Sequence, residues 1–170
     1  MSTAVAQQRS KLKSGPSTSA LLDELEDAVE QIIRAVAEFE HPESAPVDDA
    51  WTVKDTLGHI AFWHDSFARN VAALTDGRKP DVLKGTYPDL NARGIAESRG
   101  QTAAQIAERI RVAQRVVQRR IPKLPPDTRI PYRIGSRDYA PDEHLAMVRG
   151  HILAHLHRIE RAGRRRVARA

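Results

Sequence analysis

His151 and His155 stand four residues apart in the apolar run MVRGHILAHLHRIE, and His59 lies in a second such run, WTVKDTLGHIAFW. Residues at i and i+4 share one helix face, so His151 and His155 can offer two imidazoles to one ion. A third imidazole from a facing helix would complete a three-nitrogen site with open coordination positions. That is the arrangement of a catalytic rather than a structural metal centre. The chain has no cysteine. Disulfides, thiolate ligands and a cysteine nucleophile are thereby excluded together, and any metal site must use histidine, carboxylate or water. There is no H-E-x-x-H, G-x-S-x-G or P-loop pattern to suggest another chemistry.

The remaining histidines sort by helical geometry. At 100° per residue, His144, His151 and His155 fall within about 40° of one another. His144 precedes His151 by seven residues, about 10 Å along an axis, and cannot share an ion with both. His157 points elsewhere, and His41 sits in a loop beside Pro42. In the earlier run, His64 lies at the centre of the apolar stripe with Val53, Ile60 and Val71, and His59 lies about 100° to one side, near Trp63 and Asn70. Periodicity alone favours His64 as the inward residue. A bundle buries a wide arc, however, so an edge position can still face its mouth, and the pattern leaves the choice open. Asp142-Glu143 reads as a helix start, and Glu160 as a surface ion-pair partner rather than an acceptor for a ligand's ring N–H.

Four elements must position these side chains. Residues 1–18 carry Ser, Gly, Pro and Thr without periodicity and read as a disordered leader. A helix is expected from Ser19 through Leu21, Leu25, Val29, Ile32, Val36 and Phe39, with Asp23 and Glu24 in its first turn. Thr52 and Asp55 form a capping-box pattern for the second helix, which Asp76-Gly77 ends. Residues 77–101 make a long connection with room for one short helix around Asn91–Glu97; a segment of this length inside a domain is functional or mobile. Thr102 and Gln105 cap the third long helix, stopped by Pro122, Pro125 and Pro126. Residues 129–139 could form a small hairpin around Gly135-Ser136, weakened by Pro131. Pro141 opens the fourth long helix, with Gly163 expected to end it. Four amphipathic helices of this length in a 170-residue chain predict an all-α four-helix bundle over residues 19–162 with a basic tail over 163–170.

Composition narrows the function classes. The net charge of +5 does not describe the folded body. Arg9, Lys11 and Lys13 near the start and Arg161, Arg164, Arg165, Arg166 and Arg169 near the end have no acids among them, which leaves residues 20–160 net acidic. A domain built to neutralise phosphates would be basic on its folded surface, so a nucleic-acid partner is not expected. No run approaches the ~20 apolar residues of a membrane helix, and no signal-peptide pattern opens the chain. A soluble, cytoplasmic protein without a membrane partner is the expectation.

Residues 51–64, W-T-V-K-D-T-L-G-H-I-A-F-W-H, resemble the W-s-x-k-D-x-l-x-H-l-x-x-W stretch of the DinB/YfiT-like superfamily, and within it most nearly the ClbS/DfsB branch of four-helix bundles. The resemblance continues through Gly85-Thr86-Tyr87-Pro88 and Asn91 to His151 and His155, covering about residues 19–160. It implies a DinB-like bundle in which three histidines bind a divalent metal, zinc or nickel. By motif the ligands are His59, His151 and His155, which selects His59 against the periodicity. Relatives include thiol S-transferases using bacillithiol or mycothiol and a hydrolase that protects its host from a reactive cyclopropane-bearing metabolite. The resemblance therefore implies a metal-dependent hydrolase or thiol S-transferase acting on a small electrophile in resistance or detoxification, with metal-bound water as the reactive group and a low-molecular-weight thiol as co-substrate. A non-catalytic bundle that holds a small molecule, with structural or absent metal, is the other reading. Related bundles pair through helix faces, which implies a homodimer. The insert Ile152-Leu153-Ala154 carries no acid or base, so no proton-transfer role passes to those positions. Because the ligands must be neutral, metal affinity should fall as pH drops through the histidine pKa of ~6.5. The 77–101 and 123–140 segments, with Tyr87, Tyr132 and Tyr139, are the expected walls or lids.

Overall fold

A computed structural model describes residues 15–168. Helix α1 spans Thr18–Ala37, α2 Val53–Thr75, α3 Tyr87–Ser98, α4 Ala103–Arg120 and α5 Pro141–Val167, with a 3-10 turn at Ile121–Lys123. The expected all-α bundle is formed by α1, α2, α4 and α5, and α3 is the short helix anticipated in the long connection. No strand forms among the described residues, and none of the helices there is long and apolar enough to cross a membrane. The leader expected over 1–18 lies, through residue 14, outside the described residues.

Local chemistry sets the helix ends. The Thr52 hydroxyl accepts the Asp55 N–H at 3.1 Å and the Asp55 carboxylate accepts the Thr52 N–H at 3.0 Å, closing a capping box at the start of α2. Thr102 and Gln105 do the same for α4. Gly77, at φ 68°, follows the end of α2 in the left-handed region that glycine tolerates. Helix α1 starts at Thr18, next to the expected Ser19. Ser17 accepts the Ala20 N–H, so Asp23 and Glu24 fall beyond the first turn, and the helix stops at Ala37, before Phe39. At α5, Glu143 accepts the Ala140 N–H and Asp142 accepts from Thr18, which makes both acids helix-start residues. Gly163 does not end α5. Arg164, Arg165 and Arg166 fill its last turn, where basic groups offset the helix dipole, and Arg165 donates to the Val47 carbonyl at 2.8 Å. The basic tail expected from residue 163 is thus helical through Val167.

Helix α1 packs on α5 and α2 on α4. Leu25 and Ile32 of α1, Leu57 and Ile60 of α2, Ile106 and Ile110 of α4, and Leu145, Ile152 and Ile159 of α5 are fully buried between them. Helix α3 then covers a second side of α2. The close approach depends on two glycines. A Cβ on Gly94 would stand 2.6 Å from the Phe62 Cβ, and one on Gly58 would stand 2.7 Å from the Ser98 Cβ. The Phe62 Cβ is fixed to the α2 backbone, so it cannot swing away. Gly94→Ala should therefore lower stability by roughly 1–3 kcal/mol in urea denaturation, although alanine is the better helix former by ~1 kcal/mol. Gly150→Ala, on open α5 surface, should be neutral or stabilising. Equal behaviour of the two variants would refute the close docking of α3.

Two loops close the other end of α2. The Ile134 N–H donates to the Leu83 carbonyl at 2.8 Å, and Ile130 and Tyr139 pair through backbone bonds of 2.8 and 3.0 Å. The hairpin expected at 129–139 is reduced to that isolated bridge, because the next backbone groups bond elsewhere: Arg133 pairs with Ser136 in a tight turn and Ile134 with Leu83. Asn70 of α2 donates to the Pro131 carbonyl and ties the loop down.

Candidate metal centre

Helix α2 delivers His59 and α5 delivers His151 and His155 to one point. The His59 and His151 Nε2 atoms are 2.9 Å apart, and the His155 and His151 Nε2 atoms 3.1 Å. The ring planes are inclined to one another by 62°, 73° and 87°, so three edges, not three faces, meet. His59 and His155 are buried and His151 is partly so. The i, i+4 spacing accounts for the α5 pair, and the contact of α2 with α5 brings the third ring to it.

Hydrogen bonding cannot satisfy this cluster. A ring nitrogen carries one in-plane proton or one in-plane lone pair. His151 Nε2 faces two other nitrogens and can serve only one of them. A cation would take one lone pair from each ring, and all three neutral imidazoles can provide it. Nitrogens bound at ~2.1 Å around a tetrahedral ion lie ~3.4 Å apart, a small expansion of the spacing seen. The donor set fits a borderline divalent ion with no thiolate and no carboxylate among its ligands.

The surroundings keep the rings neutral. Burial pushes His59 down to about 2, and His151 and His155 act on it in the same direction. Burial likewise holds His151 and His155 at about 4. Trp51 covers the cluster from the loop before α2, stacked on His155 at 6.0 Å and tilted against His59 at 4.8 Å. Asp48 fixes that tryptophan by accepting the Trp51 N–H at 2.9 Å. One turn past His59, Trp63 donates to Asn91 of α3 and stacks on Tyr132. Tyr87 and Tyr139 pack against Tyr132 in turn. The three tyrosines form one aromatic wall, held by the Leu83–Arg133 bridge between the two loops. Trp51 opens the W-T-V-K-D stretch, but helical periodicity says nothing of it because it precedes the helix.

The other histidines separate from the cluster. His64 is buried and bonded to Gln114 of α4 at 2.9 Å, so the inward position that periodicity chose is a core position. His144 is buried under Phe67, at a ring separation of 4.2 Å. His41 is exposed beside Glu40 and Glu43, and His157 beside Glu160. Glu160 therefore faces an exposed imidazole at the surface and not the cluster. Among the described residues, His59, His151 and His155 are the one histidine or carboxylate group close enough to hold an ion.

No curated protein matches the sequence. Two solved structures share the fold: a mycothiol-dependent maleylpyruvate isomerase and a histidine-to-alanine mutant of such an enzyme. They are 12% and 11% identical to this chain, each with a TM-score of 0.66 over 85% of it. The chain spans 61% of the length of either. The family model described as the mycothiol maleylpyruvate isomerase N-terminal domain matches residues 22–150, most of the bundle, and the chain belongs to that family, within the DinB/YfiT-like superfamily.

Proposed function

We propose that this protein is a divalent-metal-dependent enzyme that joins a low-molecular-weight thiol to a small electrophile, with His59, His151 and His155 as ligands and zinc or nickel as the ion. The observation that carries the reading is the meeting of three Nε2 atoms that no hydrogen-bond pattern can satisfy. Membership of a family described by mycothiol and an isomerase supports thiol chemistry. A bound divalent ion supplies Lewis acidity, which favours the anionic form of a thiol or of water.

The chain's own residues divide the remaining work. The imidazoles stay neutral, and so available as donors, because burial disfavours their charged form. Trp51 shields the His59 and His155 rings from solvent on one side. The Trp63, Tyr87 and Tyr132 wall offers apolar ring faces to a substrate's carbon skeleton. Tyr132 itself stays protonated, since burial pushes it well above the usual phenol range, and it can donate but not act as a base. No acid–base residue stands between His151 and His155, so those positions take no proton from a thiol.

The ClbS/DfsB-type hydrolase is the second reading, favoured by the same open, thiolate-free donor set, with water in place of the thiol. Turnover of a panel of small electrophiles, with and without mycothiol or bacillithiol, separates the two. Thiol-dependent consumption that a chelator abolishes and added zinc or nickel restores is expected. Thiol-independent consumption would support the hydrolase. Ligand binding without turnover, unchanged after chelation, would mean a non-catalytic bundle.

A further inference from the structure

Beyond His151 and His155, α5 carries a run of arginines. Arg158 follows His155 by three residues, about 5 Å along the axis, and Arg161 and Arg165 follow at steps of three and four. With Arg164, Val47 and Asp48 they line a cleft of about 550 Å³ between the end of α5 and the loop before α2. That volume suits a small molecule. Among the described residues Arg158, Arg161 and Arg164 form no ion pair, whereas Arg109, Arg111 and Arg149 pair with Asp65, Glu30 and Glu24. Four guanidinium groups thus face a single carboxylate in the cleft. One oxygen of that carboxylate, Asp48 Oδ1, already accepts the Ala50 and Trp51 N–H groups.

Two alternative explanations of the arginines fall short. Basic residues gather in the last turn of a helix to offset its dipole, which accounts for Arg164 and Arg165 but not for Arg158 and Arg161, which precede that turn. Tethering the loop accounts for Arg165, through Val47, and for no other. The cleft is tied to the histidine centre through Asp48, which lines it and also holds Trp51, the ring that covers His59 and His155.

We propose that this cleft is an anion subsite of the three-histidine centre, in which Arg158 and Arg161 hold a carboxylate or phosphate group of a small ligand. The planar guanidinium fork matches either group. The substrate implied is then an electrophile with a negatively charged end, bound one helix turn from the metal ligands. That catalytic meaning rests on the function proposed above, but the anion subsite itself does not.

Calorimetric titration of the metal-free and the zinc-loaded protein with succinate and with inorganic phosphate, at low salt, tests it. Saturable binding of at least one probe is expected in both metal states. Arg158→Gln with Arg161→Gln should weaken it at least tenfold, and Arg119→Gln, a single charge loss on exposed α4 surface, less than twofold. The tighter probe identifies the group recognised. Absence of saturable binding in both states, binding confined to the zinc-loaded protein and indifferent to the double variant, or equal weakening by Arg119→Gln would each overturn the proposal. A protein that loads no zinc yet binds the anion through Arg158 and Arg161 would sink the metal reading and leave the subsite standing.

Discussion

Alanine in place of His59 or His155 is expected to weaken binding of zinc or nickel by at least a hundredfold. Structural zinc sites in small peptides bind with apparent energies of ~10–16 kcal/mol shared among four ligands. One ligand is then worth roughly 3 kcal/mol, and every ~1.4 kcal/mol is tenfold. The loss should be the same from either helix, since the α5 pair alone leaves two nitrogens and the mixed pair also leaves two. His157→Ala is the matched control: it removes an exposed imidazole from α5 and should leave affinity unchanged. Competition titration against a chromogenic chelator, on protein carrying no histidine tag, reads all three. Parental metal content in His59→Ala would mean that α2 contributes no ligand.

The second large effect is on stability against pH. Burial holds His64 at about 4 and His144 at about 3, and an unfolded histidine titrates near ~6.5. The folded pKa values are depressed, so below ~6.5 the unfolded chain takes up protons that the folded chain refuses. The stability from keeping these rings neutral is complete above ~6.5 and drains away as pH falls toward 4. His64 and His144 alone give a slope of roughly 3 kcal/mol per pH unit in the middle of that window. By pH ~4 the two together cost roughly 6 kcal/mol, comparable with the ~5–15 kcal/mol by which a domain is stable. The three ligand histidines steepen the loss in metal-free protein, and metal should postpone it, since proton and ion compete for the same lone pairs. His144→Leu isolates one contribution. Neither ring nitrogen of His144 has a partner among the described residues, so an apolar replacement leaves no partner group stranded. It should be near neutral at pH 7 and flatten the acid limb by about one proton, read from urea midpoints between pH 7 and 4. An unchanged limb would show that His144 is already charged in the folded state.

The choice between His59 and His64 shows how far helical patterning carries. A hydrophobic wheel finds the inward side of a helix that has an outward side. In α2 every residue from Thr56 to His64 is buried, because α4 covers one flank and α3 another. Both histidines are inside, and no wheel can rank them. Only the resemblance selected His59, the histidine that the fold brings to the α5 pair. The covering of α2 by α3 was itself hidden, since it depends on Gly94 and Gly58 facing Phe62 and Ser98, a match of small and large surfaces between segments far apart in sequence.

Helix starts were easier. Thr52 with Asp55 and Thr102 with Gln105 are local signals, complete within four residues, and the structure uses both. The end of α5 was misread because glycine at 163 is a local breaker, while the Arg165–Val47 bond that extends the helix is long-range. The same limit applied to the tyrosines. Tyr87 and Tyr132 meet only because the Leu83 and Arg133 backbones pair, and nothing in either loop announces the other. The i, i+4 histidines needed no such help: their spacing defines half the candidate centre before any tertiary contact is known.

Zinc-loaded crystals, with diffraction recorded above and below the zinc absorption edge, test the metal centre most directly. One anomalous peak at ~2.0–2.1 Å from the Nε2 atoms of His59, His151 and His155, absent below the edge, is the expected result. A peak bound elsewhere, no peak at all, or a His59 ring turned away from the α5 pair would contradict it.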